Sequence, residues 1–403
     1  MPSQANNRSL STPVLGLIWF GASVSLAEIL TGTFFAPLGF ELGLAAILLG
    51  HVIGGALFAL VAYVSAKTGT SAMGAAARSF GRAGAGAFSI ANVIQLVGWT
   101  AIMVASGGLA ASLLAPSIGF APWCAIIGAL IVAWIAIGVK RMGKVQSVAA
   151  ALLFALTIIV SFTVFEFSQA TFPAEGDALS FGAAVELAVA MPLSWLPVVG
   201  DYVREAKSPK AGVAASTALY FIGSCWMFVI GLGCALFAGS NDIATVLGAS
   251  GMGVVGLLVV VFSTVTTTFL DAQSAGVSAK GVAPSLNERT VGIAAAIVGT
   301  FLAVFAPVND FEGFLYLIGS VFAPMAAIVC VDFFILHRDA SSSKVDVRNI
   351  VLWVLGFALY RFSLTWDLPC GNTLPVMAII AIVAIAVDAL AKTRARSLAN
   401  EAN

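Results

Sequence analysis

Long apolar runs follow one another along the whole chain, and short polar or glycine-rich joints separate them. A helix needs ~20 mostly apolar residues to cross a membrane, and a window of that length finds twelve such runs in this sequence. The predicted spans cover residues 13–38, 41–66, 85–112, 120–139, 146–167, 180–203, 210–238, 252–280, 290–310, 313–336, 348–366 and 373–392. The pattern predicts an all-α integral membrane protein.

The composition agrees with this prediction. Of 403 residues, 60% are hydrophobic and only 9% are charged, which is more apolar material than a soluble core of this size can bury. The five cysteines lack paired spacing, so we predict neither a metal site built on them nor a disulfide framework. No phosphate-binding loop of the GxxxxGK(S/T) type occurs in the sequence, so we expect no direct use of ATP.

Basic residues occupy every second joint. The two terminal tails and the even-numbered joints hold 18 of the 19 Lys and Arg residues, and Arg361 is the exception. The remaining joints carry acidic residues such as Glu41 and Asp367, or no charge. Because Lys and Arg stay on the cytoplasmic side of short loops, the pattern predicts cytoplasmic termini in a cell inner (plasma) membrane. An error of one span would have destroyed the alternation.

The first and sixth spans contain helix-breaking residues. Span 1 has Gly21, Gly32 and Pro37, and span 6 has Pro192 and Pro197. Either set alone is compatible with an ordinary kink. Their separation by five spans, however, is typical of two inverted repeats whose broken helices meet at the middle of the membrane. Broken backbone at that depth requires protein or water around it, so the breaks indicate a site.

Several polar side chains lie inside spans. Span 8 is rich in hydroxyl groups, which can bond to carbonyls of their own helix. It also holds Asp271, and a carboxylate inside the membrane costs ~2.5–3.5 kcal/mol on insertion scales.

Gln95 and Trp99 in span 3 share one helix face. An indole beside an amide suits a flat ligand with polar edges, and the alternative is an ordinary helix contact.

Glu28 and His51 are the other unusual residues within spans. Burial favours the neutral form of Glu28, which has a donor and an acceptor that match the edge of a 4-aminopyrimidine. We therefore predict that Glu28 or, failing it, Asp271 reads this edge and favours aminopyrimidines over uracil. The alternative for Glu28 is a structural hydrogen bond to a neighbouring helix. His51 is either a proton relay or, more simply, a hydrogen-bonded packing residue.

Together these features resemble the nucleobase:cation symporter-1 family, closest to its hydroxymethylpyrimidine or cytosine-permease-like transporters. The resemblance covers nearly the whole chain. It includes the joint SAKTGTSAMGAAARSFG after span 2, VGW in span 3, DYVR at the end of span 6 and AQSAG in span 8.

The resemblance implies a five-plus-five inverted repeat (LeuT-like) with two accessory C-terminal helices. The expected organisation is a tail 1–12, a transport core 13–336 with repeats 13–167 and 180–336, accessory helices within 348–392 and a tail 393–403. It also implies a secondary transporter, not an enzyme, driven by sodium or protons. The sodium ligands that it implies are backbone carbonyls at the break in span 1, at Ala22 and Ser25, and hydroxyls of span 8, at Thr266 and Thr267. Such oxygens suit a hard cation.

The expected substrate-binding residues are Glu28, Gln95, Trp99, Ser194, Trp195 and Asp271. Ser194 takes the place of a substrate-contacting serine in cytosine permeases, whereas Pro192 stands where those proteins have an aromatic residue. Trp195 or Trp99 is therefore expected to stack on the substrate. Relatives more often have asparagine at the position of Asp271.

We predict an importer of a pyrimidine, hydroxymethylpyrimidine or cytosine, coupled to sodium and without other cofactor or nucleic-acid partner. The alternative is a proton-coupled symporter of the same fold for a purine, a hydantoin or an amino acid. An ion channel is disfavoured because no repeated carbonyl filter occurs. A membrane enzyme is disfavoured because His51 and His337 are the only histidines. The oligomeric state and the exact ring stay open.

Overall fold

The computed structural model describes residues 8–137, 179–237, 239–240, 243–249, 251, 253–306 and 310–401, and positions 148, 151, 155, 157–159, 161–162 and 164–165. Most of the predicted fifth span, 146–167, lies outside the described residues, so that span stays a prediction.

The described elements are helices that follow the order of the predicted spans, and one short additional helix, Ile243–Ala249, lies between the predicted spans 210–238 and 252–280. They are α1 (Thr12–Ser23), α2 (Leu26–Thr33), α3 (Gly39–Thr68), α4 (Ala72–Leu114), α5 (Phe120–Ile137), α6 (Phe181–Ser194), α7 (Leu196–Val203), α8 (Pro209–Phe237), α9 (Ile243–Ala249), α10 (Gly253–Val282), α11 (Glu288–Phe305), α12 (Phe311–Val331), α13 (Val347–Ser363) and α14 (Thr373–Glu401). Counted over the described residues, nine helical segments could cross a membrane, and the bent pair α1 and α2 makes a tenth. The all-α membrane fold is confirmed.

The first and sixth spans are each divided into two helices, as their glycines and prolines predict. α1 and α2 are bent by 49° at residues 24–25. Ser25 caps α2, because its hydroxyl accepts the backbone N–H of Glu28 at 3.3 Å. α6 and α7 meet at Trp195. Pro197, in the first turn of α7, has no N–H to donate back into α6, so the break persists.

The broken sixth span lies at the centre of the bundle. In an apolar stretch of 18 residues taken from each span, 94% is buried by protein in span 6, against 28% in α11 and 28% in α14. Apolar side chains of the outer helices, such as Phe301 and Ile382, are exposed on the outside of the bundle, as a surface that faces lipid requires. A helix can break at membrane depth only where protein or a cavity surrounds it. The central position therefore permits the break in span 6.

The N-terminal tail and three of the basic joints lie on one side of the bundle. The N-terminal tail contacts the end of α3 through Arg8, whose guanidinium donates to the Ala66 carbonyl at 3.2 Å. It also contacts the joint after α7, where the Leu10 N–H donates to the Glu205 carbonyl at 3.0 Å. The joint before α13 packs against Gly81, whose φ of 74° kinks α4 near its start. These contacts bring the tail and three basic joints to one face, in agreement with the charge alternation.

On the opposite side, a buried carboxylate ties span 6 to the last helix. Glu186 of α6 accepts the backbone N–H groups of Asn372 at 2.6 Å and Thr373 at 2.8 Å, at the start of α14. The Thr373 hydroxyl at 2.6 Å and the Tyr360 hydroxyl complete the set of donors. A helix N-terminus favours negative charge, so Glu186 fixes the accessory helices against the core.

Candidate substrate and cation sites

The amide of Gln95 joins α4 to the break between α6 and α7. Its Nε2 donates to the Ser194 backbone carbonyl at 3.1 Å and to Asn92 Oδ1 at 2.8 Å. Its Oε1 is buried and has no hydrogen-bond partner among the described residues. The Ser194 hydroxyl itself donates to the Met191 carbonyl at 2.7 Å. The structure therefore brings the predicted residues Gln95 and Ser194 together, through a backbone carbonyl rather than through the serine hydroxyl.

Asp271 lies on α10, which runs antiparallel to α4. The register is fixed at two points, because Ser278 bonds to the side chain of Asn92 at 2.7 Å and Thr264 lies against Gly107. Asp271 is midway between these contacts and is therefore level with Trp99. Its side chain is buried. Span 8 thus brings an acidic acceptor to the level of the amide and indole of span 3.

The two predicted indoles are held by aromatic neighbours. Trp99 packs edge to face against Phe311 and Phe314 of α12, with ring centroids 5.8 and 5.4 Å away. Trp195, at the break in span 6, packs edge to face against Trp19 of α1 with a centroid distance of 5.5 Å. Both indoles are buried. Their rings are positioned by packing, as a stacking platform needs to be.

At the break in span 1, backbone carbonyls meet hydroxyl groups of α10. Ser263 Oγ donates to the Val24 carbonyl at 2.8 Å, and Thr267 Oγ1 donates to the Gly21 carbonyl at 3.4 Å. Ala22, which lies between Gly21 and Val24 in the sequence, is buried. Among the predicted cation ligands, Thr267 therefore faces the break directly. Ser263, one helical turn earlier on α10, also faces the break and was not among the predicted ligands.

The other two predicted cation ligands use their hydroxyl groups within the protein. Thr266 Oγ1 donates back into its own helix, to the Phe262 carbonyl at 2.8 Å and the Ser263 carbonyl at 3.1 Å. Ser25 caps α2. The site nevertheless fits a hard cation, because the carbonyls at the end of α1 and the hydroxyls beside them are neutral oxygens, and a helix C-terminus carries partial negative charge.

Glu28 bonds to α8 and not to the groups around Gln95. Its Oε1 accepts from the Tyr220 hydroxyl at 2.9 Å, and its Oε2 accepts from or donates to Ser224 Oγ at 2.7 Å. His51 Nε2 lies 2.6 Å from the same Ser224 oxygen, and its Nδ1 bonds to the Ile47 carbonyl at 2.8 Å. The two unusual polar residues of spans 1 and 2 thus belong to one buried network with span 7.

Ser224 has a single hydroxyl hydrogen to share between its two contacts. The Ile47 carbonyl can only accept, so His51 Nδ1 carries a hydrogen. Each contact of Ser224 Oγ needs one hydrogen, so the second hydrogen is carried by the Glu28 carboxyl or by His51 Nε2. In both cases Glu28 and His51 together are neutral, which suits their burial. Tyr220 and Ser224 were not predicted, although their spacing of four places them on one helix face.

Two broken helices five spans apart, with polar groups of α4 and α10 beside them, define a secondary transporter built from inverted repeats. The particular family follows from sequence comparison. The chain belongs to the family described as permeases for cytosine/purines, uracil, thiamine and allantoin, whose profile matches residues 3–367. It is a multi-pass membrane permease and not an enzyme, as predicted.

Individual relatives agree with this assignment. The cytosine permease of Escherichia coli strain K12 is 23% identical over 355 residues, which are 86% of this chain and 82% of that protein. The fold matches Mhp1, a nucleobase-cation-symport-1 family transporter solved with bromovinylhydantoin bound, with a TM-score of 0.80 at 19% identity over 97% of this chain and 95% of Mhp1.

A Na⁺-coupled sialic acid symporter matches with a TM-score of 0.69 at 14% identity, over 94% of this chain and 89% of that protein. At these identities the two solved structures establish the fold alone. The predicted family and the predicted inverted-repeat fold are both confirmed.

Proposed function

We propose that the protein imports hydroxymethylpyrimidine or cytosine together with sodium across the inner membrane, with both termini in the cytoplasm. One observation carries the proposal. Gln95 Oε1 is a buried acceptor without a donor among the described residues, and the buried carboxyl of Asp271 lies level with Trp99 on the helix that packs against α4. A ring with N–H donors and a flat π face matches these groups. The E. coli relative named cytosine permease supports the class of substrate.

The pyrimidine ring would stack on Trp99 or Trp195 and present its polar edge to Gln95 and Asp271. When it is protonated, the Asp271 carboxyl can donate its hydrogen to a ring nitrogen and accept from an amino group. This edge-reading role falls to Asp271 rather than Glu28, because both carboxyl oxygens of Glu28 are already bonded to α8. That Glu28 contacts the substrate stays a prediction.

Sodium would be held where span 1 meets α10, by the carbonyls of Gly21 and Val24 and the hydroxyls of Ser263 and Thr267. The charge of the ion would attract oxygens of both repeats and so strengthen the contact between span 1 and α10. The bundle then alternates its access by moving one group of helices against another around the site. Basic residues on one face of the bundle support the cytoplasmic orientation.

The experiment is uptake of radiolabelled bases into proteoliposomes with imposed gradients. We expect cytosine or hydroxymethylpyrimidine to accumulate with an inward sodium gradient and unlabelled uracil to compete poorly. Binding of each base with and without sodium is measured in parallel by thermal stabilisation of the purified protein. Accumulation driven by a pH gradient in the absence of sodium would overturn the sodium assignment and transfer coupling to a proton on Glu28 or Asp271.

A further inference from the structure

Asn92, one turn before Gln95 on α4, is completely buried and has one allowed amide orientation. Its Nδ2 donates to the Pro197 carbonyl at 3.1 Å and to Ser278 Oγ at 2.7 Å. A backbone carbonyl can only accept, so the amide nitrogen must face Pro197. The Oδ1 atom therefore points the other way, towards Gln95.

Asn92 and the Ser194 carbonyl together fix the orientation of the Gln95 amide. Both hydrogens of Gln95 Nε2 are used, one on Asn92 Oδ1 at 2.8 Å and one on the Ser194 carbonyl at 3.1 Å. A flipped Gln95 amide would set its oxygen against these two oxygens, with no hydrogen between them. Gln95 Oε1 is thus held as an acceptor and cannot exchange places with the donor.

We propose that Asn92 is a specificity-determining positioning residue, which makes the site select rings with an N–H donor over rings with a carbonyl at the same place. A freely rotating glutamine reads either group, because its amide offers a donor and an acceptor. The fixed Oε1 accepts from the amino group of a 4-aminopyrimidine. Opposite the carbonyl of uracil, Gln95 Oε1 and the carbonyl oxygen would face each other with no hydrogen between them. This inference rests on the proposed function for the class of substrate.

The first test is the ratio of cytosine to uracil affinity in Asn92→Leu. Leucine has a similar size but accepts no hydrogen bond, so the amide of Gln95 keeps only its bond to the Ser194 carbonyl and is held less firmly in its orientation. We expect the ratio to fall roughly fivefold, the worth of about one neutral hydrogen bond. An unchanged ratio in a folded Asn92→Leu protein would overturn the proposal.

Ser89→Ala is the matched control. Ser89 is also buried on α4, one turn before Asn92, and its hydroxyl donates only to the Ala85 carbonyl of its own helix at 2.9 Å. We expect it to keep the wild-type ratio. An equal loss of preference in the control would show that any polar loss on this face of α4 has the same effect, which contradicts a specific role for Asn92.

Two further measurements keep the test decisive. If Asn92→Leu does not fold, Ser278→Ala removes one anchor of Asn92 and should lower the ratio in the same direction by a smaller factor; no change there counts against the proposal. A double-mutant cycle on thermal stability with Asn92→Leu and Gln95→Leu needs no substrate. Non-additive effects are expected, and additive effects would overturn the orienting contact. If wild type binds neither base, the proposed function fails while this cycle still tests the contact.

Discussion

Both broken helices leave backbone carbonyls without a partner in their own helix, and different side chains donate to these carbonyls at the two breaks. At the break in span 1, the freed carbonyls of Gly21 and Val24 accept from hydroxyl groups of α10. At the break in span 6, the carbonyls of Ser194 and Pro197 accept from amide groups of α4. Each break therefore depends on a helix of the bundle that is intact at that level, and the donor chemistry differs.

This difference suits two different ligands. A hydroxyl group can rotate its single hydrogen away and turn its lone pairs towards a cation without a change in backbone. An amide that uses both hydrogens is fixed, and it leaves an oxygen in a defined direction. The first break is therefore suited to an exchangeable ion, and the second to an organic ring whose edge must be read in one orientation.

The largest predicted effect follows removal of a hydroxyl at the first break. Thr267→Ala should raise the sodium concentration for half-maximal uptake by roughly 10–100-fold, because a contact to a charged group is worth ~1.5–3 kcal/mol. Sodium titration of uptake measures it. Thr300→Ala removes a threonine hydroxyl that bonds to its own helix at 2.7 Å and should leave the titration unchanged. The assignment fails if the two variants behave alike.

Loss of the indole of α4, one turn beyond Gln95, should weaken the organic ligand and spare the ion. Trp99→Ala is expected to reduce pyrimidine binding by roughly 1–3 kcal/mol, the scale of a base stacked on an aromatic side chain. Equilibrium binding measures this loss, and sodium binding in the absence of substrate should not change. Wild-type affinity in a folded Trp99→Ala protein would assign the residue to packing.

The second half of the first span depends on the network with α8. Ser224→Ala leaves a buried oxygen of Glu28 and a nitrogen of His51 without their common partner. We expect the free energy of unfolding to fall by about 1–3 kcal/mol, measured by denaturation in detergent. Ser216→Ala, on the same helix, removes a hydroxyl that bonds only to the Gly212 carbonyl at 2.8 Å. A comparable loss in that control would argue against the network.

The smallest effect concerns the cap of α2. Ser25→Ala should cost about 1 kcal/mol of stability, and Ser25→Gly only a few tenths, because glycine suits the cap position and alanine does not. Thermal unfolding without sodium separates this effect from cation binding. The break in span 6 has no side-chain cap at Trp195. Stability that is lower in Ser25→Gly than in Ser25→Ala would mean that the serine acts other than as a cap.

The breaks could be predicted because glycine and proline act locally on the backbone. Pro192 and Pro197 interrupt helix hydrogen bonding wherever they occur in a span, so span 6 was correctly divided. Gln95 and Trp99 could be placed on one face because helical periodicity is also local. These parts of the fold and site need no knowledge of neighbouring helices.

The partners of the site residues could not be predicted in the same way. Thr266 and Thr267 are adjacent and differ in direction by about 100° around the helix, yet only the register of α10 against α1 decides which one faces the break. The Glu28 carboxyl meets Ser224 because α8 happens to lie beside α2, almost two hundred residues later in the chain. A backbone carbonyl, such as that of Ser194, has no side-chain signature in the sequence at all.

The contact between Glu186 and the start of α14 also sets an order of events during synthesis. The carboxylate and the Asn372 N–H that it accepts are 186 residues apart, so at ~5–20 residues per second the ribosome needs about 10–40 s to deliver that partner. For this interval span 6 holds an acidic side chain without the donors that satisfy it in the finished protein. The last two helices therefore complete the folding of the central span, and a chain that ended after α12 would never satisfy Glu186.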